Sequence, residues 1–113
     1  MLAVLMGLKS ISCRDLHDLL PEGRVTVFDV NAKARWAVAH VPGARNLDPV
    51  DFAGTELPAD RDRPLVFYCS NFMCRKAPIA ARRAKAMGHA DVRVMSAGIQ
   101  GWVGEKRPVE ATA

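Results

Sequence analysis

One stretch of the sequence predicts a strand, a polar loop and a helix in succession: Leu65-Val66-Phe67-Tyr68-Cys69-Ser70-Asn71-Phe72-Met73-Cys74-Arg75-Lys76-Ala77-Pro78. Residues Leu65 to Tyr68 are apolar or aromatic without alternation, which is typical of a strand covered on both faces. Arg63 and Pro64 mark its start. The stretch therefore predicts a buried strand that ends at Cys69.

The residues after the loop predict an amphipathic helix. Its apolar positions recur at spacings of three and four: Ala77, Ala80, Ala81, Ala84 and Met87. Arg82, Arg83 and Lys85 lie between them and form a basic face. Pro78 is compatible with the first turn, which has no intrahelical hydrogen bond to lose. Gly88 predicts a left-handed cap, and the small alanines predict close packing on a sheet.

The position of Cys69 leaves two interpretations open. A thiol between a strand end and a helix start faces unpaired backbone N–H groups and the positive end of the helix dipole, and both favour the thiolate. Arg75 and Lys76 add positive charge nearby. Cys69 is then an activated nucleophile in a loop that cradles an anion. In the other interpretation it is an inert core cysteine.

Composition and charge indicate one soluble domain over residues 1–113. Half of the residues are hydrophobic and a quarter are charged, as in an ordinary globular protein. The net charge of +4 suits a small anionic substrate or an acidic partner. Aromatic residues are few, and the basic cluster from Arg75 to Lys85 is explained by a solvated helix face, so we expect no nucleic-acid partner.

The three cysteines, Cys13, Cys69 and Cys74, are an odd number without a pairing pattern. This argues against a secreted disulfide scaffold and favours a reducing cytoplasm. The Cys-x4-Cys spacing is not a usual zinc spacing, so we expect neither a metal nor a cofactor. No run is long enough to span a membrane. Met1 to Leu8 is apolar without a basic leader, and we expect it to pack on the domain.

The rest of the chain alternates helices with strands. Helices are predicted from Ser12 to Leu20, from Asn31 or Lys33 through about Ala39, and from Ile99 to Val103, with a helical turn near Val50 to Ala53. Strands are predicted at Val25 to Phe28, Ala44 to Leu47 and Val92 to Met95. Ser12, with Asp15 three residues later, has the pattern of a capping box. His40 lies in a turn and is interpreted as a hydrogen-bonded structural residue.

No two of these strands are joined tightly enough for a hairpin. An alternation of this kind predicts an α/β fold with a parallel sheet and helices on both faces. Ligands of such sheets bind at the carboxyl ends of the strands. Cys69 is predicted at one of those ends.

The order and spacing of several motifs resemble those of the rhodanese-like domains, over almost the whole chain. The resemblance lies in Phe28-Asp29-Val30, His40-Val41-Pro42-Gly43-Ala44, Phe67-Tyr68-Cys69, Ala80-Ala81, Met87-Gly88, Ala97-Gly98-Ile99, Trp102 and Pro108-Val109-Glu110. It implies a five-stranded, mainly parallel sheet flanked by helices.

The resemblance also implies a sulfurtransferase in which Cys69 carries a persulfide. Sulfane sulfur would come from a small anionic donor such as thiosulfate and pass to a thiol, to cyanide or to an acceptor protein. The loop would bind the persulfide and the donor through its backbone amides and through Arg75 or Lys76. The implied substrate-binding residues are Ser70, Asn71, Phe72, Met73, Cys74, Arg75 and Lys76.

Two departures from the family pattern concern this loop and its surroundings. Asn31 stands where the family has arginine after Asp-Val, and Arg35 stands where it has an acidic residue. The common Cys-x-x-Gly-x-Arg loop is replaced by a loop without glycine, in which Arg75 is the sixth residue after Cys69. Cys-x5-Arg resembles relatives that act on phosphate or arsenate, although Lys76 also aligns with the family arginine.

These departures keep two alternative functions open. The first is a phosphatase or arsenate reductase that uses Cys69 and Arg75, for which Asp29 is a candidate general acid. The second is a non-enzymatic module that binds a protein or senses oxidants through Cys69 and Cys74. Cys74 itself is either a small apolar residue that fills the loop or a resolving thiol that attacks an oxidised or persulfidated Cys69.

Overall fold

A computed structural model of the protein describes residues 8–112, which form a five-stranded parallel sheet with helices on both faces. The strands are β1 (Lys9–Ser10), β2 (Thr26–Asp29), β3 (Arg45–Asn46), β4 (Leu65–Tyr68) and β5 (Val92–Val94), in the sheet order β1-β5-β4-β2-β3. The helices are α1 (Cys13–Leu19), α2 (Lys33–Val38), α3 (Lys76–Ala86) and α4 (Gly98–Gly104). The predicted α/β fold is confirmed.

Strand β4 lies at the centre of the sheet. It pairs with β2 on one side, with Thr26 opposite Leu65, and with β5 on the other, with Val92 opposite Leu65. All four of its residues are completely buried. The continuous apolar run predicted this position, because only a strand covered on both faces lacks a polar side.

Two apolar layers cover the two faces of the sheet. On one face Phe28 and Phe67 stack against each other and pack with the buried alanines of α3. On the other face Tyr68 packs with Leu16 of α1 and Trp102 of α4. Cys69 belongs to the first layer, since it lies with α3.

The ends of two helices follow the predicted signals. The Ser12 hydroxyl accepts a hydrogen bond from the Asp15 backbone N–H at 3.0 Å, so α1 begins directly after Ser12. Gly88 has a φ of +99° after the end of α3, in the left-handed region that favours glycine.

Other elements differ from the predictions in detail. Strand β1 was not predicted, because its two exposed residues carry no hydrophobic pattern. The helical turn expected near Val50 to Ala53 lies instead at Gly54–Glu56, where the Glu56 carboxylate accepts a hydrogen bond from the Ala53 N–H. The packing expected for Met1 to Leu8 concerns residues outside the described range, apart from Leu8, which is buried. None of the helices described is long and apolar enough to cross a bilayer.

The alanine face of α3 gives a test of close helix packing. Ala84 is completely buried, whereas Ala86 is exposed on the same helix. We expect Ala84→Leu to lower the free energy of unfolding by about 1–3 kcal/mol, because no space is left for the added atoms. The matched change Ala86→Leu should cost only a few tenths of a kcal/mol, since leucine and alanine are both good helix formers. Urea unfolding would measure both, and equal losses would contradict the close packing.

Candidate active site

Cys69 lies directly after β4, at the carboxyl edge of the sheet, and is 3% exposed. It forms part of the wall of a cavity of about 210 Å³. The remaining wall comes from residues 71–74 of the loop, from Ala77 and Pro78 at the start of α3, and from residues 94–96 after β5. The cavity therefore lies at the place predicted for a ligand in a parallel α/β sheet.

Asn71 shapes the loop between Cys69 and α3. Its side-chain oxygen accepts a hydrogen bond from the Met73 N–H at 2.9 Å, and its backbone oxygen accepts one from the Cys74 N–H at 3.2 Å. These two bonds close a tight turn that brings Cys74 back to Cys69. Within the described range, the one non-glycine residue with a positive φ is Lys106, so the turn needs no glycine.

The start of the loop is fixed by the N-terminus of α4. The N–H of Ile99 donates to the Cys69 carbonyl at 2.9 Å, and the N–H of Gln100 donates to the Ser70 carbonyl at 3.0 Å. A Cβ on Gly98 would lie only 2.5 Å from the Ser70 carbonyl carbon, and Gly98 has a φ of +65°. From the sequence, Gly98 was named only within the motif Ala97-Gly98-Ile99, and this contact was missed.

Asn31 holds the loop from the opposite side. Its side-chain oxygen accepts a hydrogen bond from the Ser70 hydroxyl at 2.8 Å, and its own N–H donates to the Asp29 carboxylate at 2.8 Å. Asn31 is 5% exposed. Asn31, which departs from the family pattern, thus positions Ser70, the residue after Cys69. The residue type of Asn31 did not indicate this role.

Both loop thiols line the same cavity, and Cys74 packs against the apolar layer that contains Cys69. Burial, followed by the neighbouring Cys74 thiol, raises the pKa of Cys69 to about 12, although the backbone N–H groups of Ala77 and Ser70 act in the opposite direction. The pKa of Cys74 is lowered: burial opposes this, but the neighbouring Cys69 thiol, the N–H groups of Ser70 and Lys76, and the Lys76 charge together exceed it.

Of the two thiols, Cys74 is therefore the more readily deprotonated. The sequence left open whether Cys69 is an activated thiolate or an inert core cysteine. Burial opposes the thiolate at Cys69, because Cys69 is more deeply buried and loses more hydration than Cys74.

Arg75 and Lys76 are exposed, and neither lines the cavity at Cys69. Lys76 instead borders a separate depression with Asn31 and Asp48. Their expected contact with an anionic donor remains a prediction. Of the predicted substrate-binding residues, Asn71, Phe72, Met73 and Cys74 line the cavity.

The mouth of the cavity is apolar, which sequence reasoning did not anticipate. Phe72 is 65% exposed and Met73 is 86% exposed, at the tip of the loop. No carboxyl or basic side chain is among the described residues that line the cavity.

The candidate general acid Asp29 lies away from this cavity. Its strand neighbours Val27 and Tyr68 point to the face covered by α1 and α4, opposite to Cys69. Asp29 is completely buried, and burial raises its pKa. His40 is also distant from the cavity: its Nδ1 lies 2.7 Å from the Trp36 carbonyl oxygen and its ring stacks on Trp36. The structural role predicted for His40 agrees with these contacts.

Comparison with known proteins gives consistent matches. The family model described as "Rhodanese-like domain" matches residues 12–105. The chain is 27% identical to the Homo sapiens thiosulfate:glutathione sulfurtransferase over 111 residues, which covers 86% of this chain and 95% of that protein. It is 28% identical over 83 residues to the thiosulfate sulfurtransferase GlpE of Pseudomonas fluorescens, with 74% of each chain covered.

Solved structures share the fold at lower sequence identity. The BH2092 protein from Bacillus halodurans superposes with a TM-score of 0.83 at 23% identity, over 92% of this chain and 77% of the other. The human single-domain sulfurtransferase TSTD1 superposes with a TM-score of 0.70 at 22% identity, over 85% of this chain and 96% of the other.

The opposite pKa shifts of the two thiols predict how the cysteines respond to pH. The reacting species in alkylation is the thiolate, so a lowered pKa moves the reaction to lower pH. We expect the alkylation of Cys74 to rise at lower pH than that of an ordinary cysteine, and Cys69 to remain slow across pH 6–9. Limited treatment with iodoacetamide and fragmentation of the peptide that contains both cysteines would measure each rate.

A variant separates the contributions to the Cys69 pKa. In Cys74→Ser the neighbouring thiol is removed but the burial remains, so the rise in Cys69 alkylation should move to lower pH without reaching the ordinary range. Alkylation of Cys69 before Cys74 at pH 7 in the wild-type protein would contradict the opposite pKa shifts of the two thiols.

The close contact at Gly98 predicts a stability difference between two glycine variants. Gly98→Ala should lower the free energy of unfolding more than Gly23→Ala, by about 1–3 kcal/mol, because the new methyl group meets the Ser70 backbone. Gly23 has a nearly identical φ of +66° but nothing within 4 Å of an added Cβ. The Gly23→Ala variant therefore measures the cost of backbone strain alone. Thermal or urea unfolding would show whether the losses differ, and equal losses would contradict the role of this contact.

Proposed function

Because the chain belongs to the rhodanese-like domain family, we propose that it is a sulfurtransferase in which Cys69 carries the transferred sulfur as a persulfide. One observation carries the proposal: a cysteine at the end of the central strand lines a cavity at the carboxyl edge of the sheet, where the backbone N–H groups of Ser70 and Ala77 act to lower its pKa against the effect of burial. Such N–H groups stabilise negative charge on sulfur as it develops.

The reaction needs two displacements at sulfur. The Cys69 sulfur attacks the outer sulfur of a donor such as thiosulfate, the sulfur–sulfur bond of the donor breaks, and sulfite leaves with the electron pair. The outer sulfur then occupies the cavity as Cys69–S–S⁻. An acceptor nucleophile attacks this outer sulfur and releases the Cys69 thiolate.

The surroundings of the cavity favour an anionic donor and an organic thiol as acceptor. Arg75 and Lys76 are exposed beside the loop, and the chain has a net charge of +4, so anions are attracted to this edge. The exposed Phe72 and Met73 offer apolar contact to the body of a thiol, which cyanide does not use. The names of the two curated relatives, with thiosulfate in both and glutathione in one, support the same pair of substrates.

The cell compartment proposed is the reducing cytoplasm. Cys13, Cys69 and Cys74 are all free thiols, as this environment allows. We propose neither a cofactor nor a metal, since both displacements use sulfur atoms alone. Within residues 8–112, no cluster of His, Cys, Asp or Glu has the arrangement of a metal site.

Loop length is the one feature that favours phosphate or arsenate chemistry. Hydrolysis of a phosphate ester needs a general acid for the leaving group. Asp29 lies on the other face of the sheet, and Arg75 does not line the cavity. We therefore propose sulfur transfer, with phosphate and arsenate substrates as the comparison in the test.

The test measures sulfite release and the mass of the protein after incubation with thiosulfate and an acceptor thiol. We expect Cys69→Ser to lower the turnover of thiosulfate by roughly a thousandfold or more, because the attacking atom is removed. Cys13→Ser is the matched control: Cys13 is buried among the side chains on the other face of the sheet, and its loss should leave sulfite release unchanged.

Two outcomes would contradict the proposal. Thiosulfate turnover that persists in Cys69→Ser would exclude Cys69 as the carrier. Hydrolysis of an aryl phosphate that is lost in Arg75→Ala, without any sulfite from thiosulfate, would favour the phosphatase alternative.

A further inference from the structure

The loop contains a second thiol that the sulfur-transfer reaction above does not use. Cys74 is partly exposed, lines the same cavity as Cys69 and packs against the apolar layer to which Cys69 belongs. The turn made by Asn71 holds it there through the hydrogen bond from the Cys74 N–H to the Asn71 carbonyl. Cys13, by contrast, lies in the apolar layer on the other face of the sheet.

We propose that Cys74 attacks the inner sulfur of the Cys69 persulfide, so that the loop closes a Cys69–Cys74 disulfide and expels the sulfane sulfur as hydrosulfide. The inference rests on the sulfurtransferase function proposed above. It assigns a role to Cys74 and a product to the reaction.

The arrangement of the loop permits the bond between the two cysteines. A disulfide needs Cα atoms within about 7 Å, and two cysteines on one short turn that line the same cavity approach this arrangement. Phe72 and Met73, at the tip of the turn, are exposed and are not held by the core, so the turn has freedom to adjust. The Ser70 N–H acts to lower the pKa of both thiols and so stabilises the charge on either sulfur.

The choice of the inner sulfur follows from the two leaving groups. Attack by Cys74 on the outer sulfur would only move the persulfide from one loop cysteine to the other. Attack on the inner sulfur expels hydrosulfide, an acidic leaving group, and joins the two cysteines in a disulfide. Cys74 has the lowered pKa and is the more readily deprotonated attacker.

The atoms and electrons of these reaction steps balance without an added oxidant. As Cys69 attacks thiosulfate, its proton passes to the Cys74 thiolate and sulfite leaves. The proton then passes from Cys74 to the terminal sulfur of the persulfide. The Cys74 thiolate forms the new sulfur–sulfur bond, the persulfide bond breaks, and HS⁻ leaves with that proton and the electron pair. Thiosulfate is reduced to sulfite and hydrosulfide, and the two thiols are oxidised to a disulfide.

This series of reaction steps changes the role of the external thiol. The external thiol now reduces the loop disulfide by thiol–disulfide exchange, and two molecules of it are consumed in each cycle. Without them, the protein should stop after one turnover, in the disulfide form.

The experiment is a single turnover of the reduced full-length protein with thiosulfate, in the absence of oxygen and of any external thiol. For the wild type we expect one equivalent each of sulfite and hydrosulfide, and a loss of two hydrogens in the intact mass. Trypsin cleaves after Arg61 and Arg75, so one peptide contains Cys69 and Cys74 without Cys13 and would carry the disulfide.

The variants locate the step. Cys74→Ser should still release about one equivalent of sulfite at the end point, but should retain a gain of one sulfur, about 32 mass units, and release at least tenfold less hydrosulfide. The control Cys13→Ser should behave as the wild type. Reduction by a dithiol should return the wild-type protein to its starting mass and allow a second turnover.

The outcomes separate this inference from the function on which it rests. A wild-type protein that releases sulfite but keeps the added sulfur, with neither disulfide nor hydrosulfide, would overturn the role of Cys74 and leave the sulfurtransferase proposal intact. Uptake of sulfur by Cys74 in Cys69→Ser would overturn it as well, because Cys74 would then be the carrier. Absence of sulfite in every variant would overturn both proposals.

Discussion

The geometry of the site depends on two backbone hydrogen bonds that join the end of β4 to the start of α4. Through them the carbonyl groups of Cys69 and Ser70 are held by the N–H groups of Ile99 and Gln100. The approach is so close that only a glycine fits at position 98. With the backbone of Cys69 fixed in this way, the remaining loop can turn at Asn71 without glycine, and Cys74 returns to the same cavity.

Burial decides which of the two cysteines carries the negative charge. A helix N-terminus stabilises a nearby thiolate by about 0.3–1 kcal/mol in most exposed settings, whereas loss of hydration around a buried sulfur costs more. Both thiols receive backbone N–H groups, but Cys69 is enclosed by the core beneath α3 while Cys74 is partly open to solvent. The thiol of Cys74 therefore loses its proton more readily than that of Cys69.

The sequence predicted the features that local physics dictates. Strand β4 was predicted with its observed ends, because four consecutive apolar residues are typical of a strand covered on both faces. Helix α1 was predicted to begin after Ser12, because the hydroxyl of Ser12 satisfies a free backbone N–H. Strand β1 has two residues and no pattern, so its pairing with β5 is visible only in three dimensions. The lowered pKa of Cys74 and the hydrogen bond from Ser70 to Asn31 depend on which side chains the fold brings together, and residue types alone do not carry that information.

The composition of the cavity bears on the choice between sulfur and phosphate chemistry. A phosphate ester releases an alkoxide that must be protonated as it leaves, and the described wall of this cavity holds no carboxyl group to supply the proton. Sulfite is a stable anion that leaves without such help, and the one proton that hydrosulfide needs comes from the two loop thiols themselves. The buried thiol of Cys69 and the less buried thiol of Cys74, in a cavity with an apolar mouth, thus have what sulfur transfer requires. Phosphate chemistry would need a general acid and an arginine in the cavity, and the length of the loop alone supplies neither.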